Sequence, residues 1–246
     1  MRNIVLSLAL VLAAFGGAGA NADFEKALKA VEAKNYAAAL DPFEAALLAE
    51  PNNLRFGNTY RQAVIQAEAY ERCTAFFQAL VEKHPKAPNA QLNLGYAFVD
   101  KIPTEGAITQ VLLANTALTH FGLALDMEDT WLGRFTRGNS YLYWPAIFGR
   151  TPLAVADLQR AIELAKGKKP KSIYVRPWIG LGDAHWRLDE IDKARQVWQN
   201  ALKRFPGNAD LKARLSRHGD ELKAYLDEHF DPARRVDTDL SILWGE

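Results

Sequence analysis

The chain has 246 residues, of which 49% are apolar and 24% charged, with a formal net charge of +1 and a single cysteine. One cysteine excludes an intramolecular disulfide framework, and the apolar share is enough to build a core without one. The charge balance supplies no general pull toward nucleic acid or anionic lipid.

Residues 1–22 read as a secretory signal peptide. Arg2 gives a basic start, Ile4 to Phe15 is an apolar run, and Ala20-Asn21-Ala22 is a small-x-small cleavage site. The run is shorter than the ~20 residues that span a bilayer. Cleavage is expected after Ala22, or else after Ala20. That would leave a periplasmic or secreted chain with no membrane insertion. Of the 30 Lys and Arg only Arg2 lies in this segment, and none of the 29 Asp and Glu does, so the remainder is formally neutral.

From residue 23 to about 228 the apolar residues recur at helical spacing, as in Phe76, Phe77, Leu80 and Val81 or Leu158, Ala161, Ile162 and Ala165. Alternating strand patterns are scarce, so the fold class is all-α. Pro51 and Pro85 lie 34 residues apart, each closing a similar phrase: Ala39-x3-Phe43-x2-Ala46 before the first, Cys73-x3-Phe77-x2-Leu80 before the second. The phrase returns as Ala194-x3-Trp198-x2-Ala201, closed by Pro206. A fixed period of this size marks stacked supersecondary units. Small residues (Gly95, Gly182, Ala46, Ala124, Ala161, Ala201) let two helices cross closely, and large ones (Phe43, Phe77, Phe121, Trp198) are expected to fill the gap to the next unit. Pro42, inside the second helix of the first unit, either bends that helix or marks its restart.

Further units open at Leu94-Gly95-x2-Phe98 and Gly138-x2-Tyr141, but the period breaks there. Gly95 to Ala117 is 22 residues and Gly138 to Ala154 is 16, against 12 from Gly182 to Ala194. About ten residues are inserted around Pro103 to Gly106, and about four within Trp144 to Pro152. Lys166 to Lys171 reads as a basic connector, either a solvated linker or an anion-binding one. Residues 209–228 read as one capping helix with Leu211, Leu215, Leu222 and Leu226 inward, and residues 229–246 as a non-helical tail. Val236, Leu240, Ile242, Leu243 and Trp244 make that tail too apolar for a solvated end. It either docks on the protein's own helices or binds a partner.

These phrases resemble the tetratricopeptide repeat, which carries W-x2-L-G-x2-Y on one helix, A-x3-F-x2-A on the next, and a closing proline. Residues 175–208 fit best, through Trp178, Leu181, Gly182, Ala194, Trp198, Ala201 and Pro206, with His185 in place of the tyrosine. The resemblance implies a right-handed superhelical solenoid of about five helix pairs over 23–228, plus the cap and the tail. It also implies a concave face lined by the first helices. Matched repeat by repeat, that face comprises Arg55, Asn58, Gln62, Asn93, Tyr96, Asn139, Tyr143, Arg176, Asp183, Trp186 and Arg187, with Arg134 beside them. Arg, Tyr and Trp are types enriched at binding hot spots. Asn58 and Asn93 resemble the amides of repeats that clamp a peptide carboxylate, but the paired lysines of that clamp are missing, so its ligand does not carry over. The aromatic run Tyr141 to Phe148 either packs between repeats or forms a partner pocket around Trp144.

The chemistry search is negative. Nucleophile elbows, P-loops, zincin motifs and haem-attachment cysteines are absent. The five histidines include no pair at ligand spacing, although His185 and Asp189 share a helix face. Cys73 occupies a small-residue slot and reads as a buried, inert thiol. No catalytic residue, metal or cofactor is expected. The expected function is an exported adaptor that binds a protein or peptide partner on its concave face, without nucleic acid. The alternative is a small-ligand-binding accessory protein with a pocket under the inserted middle segments.

Overall fold

The computed structural model describes residues 4–168, 171–231 and 234–245, with side chains from residue 18 onward. The side chains of the apolar run at 4–17, Lys169 and Pro170 of the basic connector, and Pro232 lie outside the described residues. The described residues form thirteen α-helices and no strand. The chain divides into two compact units, Met1–Met127 with Val236–Ser241, and Glu128–Arg235 with Ile242–Glu246.

The first unit holds α1 (Ile4–Glu32), α2 (Tyr36–Ala49), α3 (Leu54–Ala67), α4 (Tyr70–Lys83), α5 (Pro88–Lys101) and α6 (Ala107–Met127). Helix α1 continues through Ala20 to Ala22 without interruption. Helices start where the sequence supplies caps: the Asn35 side chain accepts from the Ala38 N–H, and that of Asn53, two residues beyond the closing Pro51, accepts from the Phe56 N–H at 3.1 Å. Helix α2 runs unbroken through the buried Pro42. Phe24, Phe43, Phe56, Tyr60 and Phe77 form the core, with Phe24 stacked on Phe56 at 4.2 Å. Cys73 is buried among them, as its slot in the repeat predicts.

The ten or so extra residues of the third repeat do not make a loop. A single 3-10 turn (Ile102–Thr104) follows α5, and α6 then has 21 residues where α4 has 14. The insertion has become two added helical turns. Helical backbone satisfies its own hydrogen bonds, whereas a loop of that length would need other partners. The C-terminal half of α6 buries Ala117, Phe121 and Ala124, while Ile108 and Leu112 in the added turns are 82% and 61% exposed. By length and composition α6 could cross a membrane, but a third of the qualifying stretch is buried in the repeat core (33%).

The second unit holds α7 (Trp131–Tyr141), α8 (Thr151–Leu164), α9 (Arg176–Arg187), α10 (Ile191–Arg204), α11 (Ala209–Ser216), α12 (Gly219–His229) and the short α13 (Ile242–Gly245). The expected single capping helix is two. Arg217 and His218 are extended and Gly219 has φ +48°, so the chain turns there, and Leu211, Leu222 and Leu226 are buried from the two separate helices. The tail includes one helical turn, α13.

Close helix crossings occur at the expected glycines, but the large residue comes from the same repeat, not the next. A β-carbon on Gly182 would stand 2.1 Å from Nε1 of Trp198, and one on Gly95 would stand 2.4 Å from the Phe121 ring. Trp198 is fully buried and donates from Nε1 to the Ile179 carbonyl at 3.3 Å.

Candidate functional site: a groove in the first unit that holds an extended segment

Asn58 and Arg61 lie one turn apart on α3; Asn93, Tyr96 and Asp100 follow at helical spacing on α5. All five are buried. Arg61 is the hub. Its Nη1 donates to Asp100 at 2.7 Å, its Nε to the Asn93 Oδ1 at 3.1 Å, and its Nη2 to the Asn58 Oδ1 at 3.0 Å. The guanidinium also stands 4.6 Å from the centre of the Tyr96 ring. A buried charge needs such pairing, because leaving it alone in a low dielectric costs several kcal/mol.

Across this hub lies the segment Val236–Ser241. Arg61 Nη2 donates to the Thr238 carbonyl at 3.1 Å, and the Thr238 hydroxyl donates to Asp100. The Leu240 N–H donates to the Asn58 Oδ1 at 3.0 Å, while Asn58 Nδ2 donates to the Asp239 carboxylate at 2.9 Å. Thr238 and Leu240 are 4% and 2% exposed. One asparagine thus bonds a backbone N–H and an acidic side chain of the same segment. Burial raises the Asp239 carboxyl, but hydrogen bonds from Asn58 and Ser241 and the nearby Arg61 charge outweigh it and hold the group below its ordinary value.

The remaining expected residues of this unit have other surroundings. Arg55 is exposed, with its guanidinium 5.4 Å from the Phe24 ring centre. Gln62 is half-buried, and its Nε2 has no hydrogen-bond partner among the described residues. Asn93 also donates to the Asn89 carbonyl at 2.9 Å.

In the second unit the polar residues of the first helices are largely engaged. Asp183 accepts from Arg214 at 2.6 and 2.8 Å, both side chains being 1% exposed. Arg134 bridges Asp129 and the buried Asp157, which Arg137 also grips. Tyr143 meets Phe230 edge-on at 5.2 Å. Trp144 is buried, with the Arg150 guanidinium 3.6 Å from its ring centre and Phe148 at its edge. Arg187 lies over Phe230 at 4.6 Å and donates to the Trp144 carbonyl; burial lowers its pKa, against the opposing pull of Asp183. Asn139, Arg176 and Trp186 are half-buried.

Sequence reasoning missed Arg61, Asp100 and the tail residues that meet them. Asp100 lies seven residues beyond Asn93, on the face already singled out, so the same periodicity would have reached it. His185 pairs with Glu190 at 2.6 Å, not with Asp189, which has φ +61°. Among the described residues no group of three or more His, Cys, Asp or Glu is placed to hold a metal ion. A cavity of about 330 Å³ does open in the second unit, lined by Lys168, Lys171, Tyr174, Trp178, Arg204 and Phe205 among others. It borders the basic connector, not the inserted segments expected to cover a pocket.

Residues 175–218 match a family model of the tetratricopeptide repeat. Similar solved structures include TTC0263, a thermophilic tetratricopeptide-repeat protein of Thermus thermophilus, at 19% identity and TM-score 0.56, covering 80% of this chain and 97% of that one. A tetratricopeptide repeat protein from Parabacteroides merdae has 14% identity and TM-score 0.56, covering 89% of this chain and 81% of that one. The MamA protein has 14% identity and TM-score 0.52, covering 82% and 97%. No curated protein sequence matches. The tetratricopeptide identification is supported, and the all-α repeat fold is shared with these proteins.

Proposed function

We propose that this chain is an exported adaptor whose first-helix face holds an extended segment of a partner protein. A repeat fold of this kind suggests a protein-interaction scaffold. The observation that carries the peptide-binding reading is Asn58, which bonds the Leu240 N–H and the Asp239 carboxylate at once. Arg61 is already held by Asp100 and Asn93, and a side chain fixed in this way meets a ligand without the cost of ordering itself. Export rests on the reading of residues 1–22 as a signal peptide; sequencing the N-terminus of the protein recovered from the cell envelope tests it. Peptide display against the full chain tests the groove. Selected peptides should lose binding on Asn58→Ala, and peptides indifferent to that change would overturn the reading.

The cavity near Lys168 and Lys171 supports a second reading, a small anionic ligand stacked between Tyr174, Trp178 and Phe205. Its test is Trp178 fluorescence during titration with aromatic carboxylates; a response that survives Lys171→Ala would sink it.

A further inference from the structure

We propose that Val236–Ser241 is a built-in ligand of the α3–α5 groove, and that the partner displacing it carries a hydroxyl residue, an acid and a leucine in consecutive positions. This deepens the groove-binding reading and rests on it.

The bonds divide by what they demand. Arg61 to the Thr238 carbonyl and Asn58 to the Leu240 N–H use the segment's backbone, so any extended chain can satisfy them. The others select side chains. Asp100 is already bound to Arg61 and, as a carboxylate, can only accept, so the facing residue must donate; a serine or threonine hydroxyl does so, as Thr238 does. A phosphorylated hydroxyl would set its negative charge against Asp100 and be rejected. Asn58 Nδ2 donates at the next position and prefers an acid, where Asp239 lies. Leu240 is buried, so the third position must be aliphatic to recover its burial.

The segment belongs to the same chain as its groove, so it competes there as an intramolecular ligand with an effective concentration of its own. Below that concentration a free peptide with the same contacts loses to it. There, only a partner that adds contacts outside the groove displaces it, so the tail sets a threshold for engagement.

The test uses the full chain and a full-chain variant carrying Thr238→Val and Asp239→Ala. The probe is a fluorescent, end-blocked peptide of residues 234–243. The variant should bind the probe at least about ten-fold more tightly than the native chain. Adding Asn58→Ala to the variant should abolish that binding. A probe that binds both chains equally, or neither, overturns the inference. If display-selected peptides still bind through Asn58 in that case, the groove reading stands alone; if none does, both fall. Should the double variant fail to fold, the same question is read on the native chain by hydrogen exchange at the Leu240 amide. Probe in excess of the segment's effective concentration should accelerate that exchange, and unchanged exchange overturns the inference.

Discussion

The side-chain amide of Asn58 and the backbone of Leu240, 182 residues apart in sequence, meet through a 3.0 Å hydrogen bond. A buried N–H that loses its acceptor costs about 1–3 kcal/mol. Asn58→Ala should therefore undock the tail. Hydrogen exchange at the Leu240 amide should accelerate while helical amides such as that of Ala63 keep their protection. Equal protection in both proteins would mean that the tail is held by other contacts.

Breaking the buried Arg61–Asp100 pair from one side should strongly destabilise the first unit. Replacing Arg61 with Leu leaves Asp100 charged and buried, which costs about 3–5 kcal/mol. Urea denaturation followed by circular dichroism measures it. Changing Asp100 to Leu as well removes the stranded charge and should restore part of the loss.

Tail docking should depend on acid pH. The docked Asp239 carboxyl titrates below the ordinary 3.8 despite the opposing effect of burial. A lowered value means that the ionised form favours docking. The contribution is complete above about pH 3.8 and disappears as pH falls through the lowered docked value. Hydrogen bonds from Asn58 and Ser241 favour that ionised form, as does the Arg61 charge from α3. Hydrogen exchange at the Leu240 amide, corrected for its intrinsic pH dependence, should accelerate down this range. Exchange that slows would contradict the sign.

Cys73 should be silent in the native protein. Burial pushes its thiol well up, Asp100 adds to that, and Arg61 opposes it, so almost none is thiolate near neutral pH. A bulky disulfide reagent should modify it only at the rate of unfolding. Rapid modification without denaturant would place the side chain at the surface.

Gly182→Ala should overpack the fifth repeat. The added methyl would stand 2.1 Å from Trp198 Nε1, and the indole is fully buried with no room to retreat. A cost of about 1–3 kcal/mol and a lower melting temperature are expected. The variant at Gly106, where an added methyl meets nothing, is the neutral control.

Much of the architecture was legible because its causes are local. The small-large-small phrase around Phe43, Phe77 and Trp198 sets helix pairs by spacing alone, and Asn53 and Asn208 just past the closing prolines cap the helices that follow. A change of period is legible as well, but not what it becomes. The residues inserted before Ala117 could form loop or helix, and the choice fell to helix because α6 could extend with its own hydrogen bonds satisfied.

The candidate site divides along the same line. Asn58, Asn93 and Tyr96 were reachable by register, since a helix fixes which residues share a face. Their partners were not. Arg61 meets Thr238 across 177 positions, and Asp183 meets Arg214 across 31. The sequence by itself determined the helices, their pairing and the face that each presents, because these follow from hydrophobic spacing within one repeat. Only the tertiary structure decided that the groove of the first unit is filled by the chain's own tail. That outcome depends on which buried donors and acceptors are left over once the repeats have packed, and no local pattern records it.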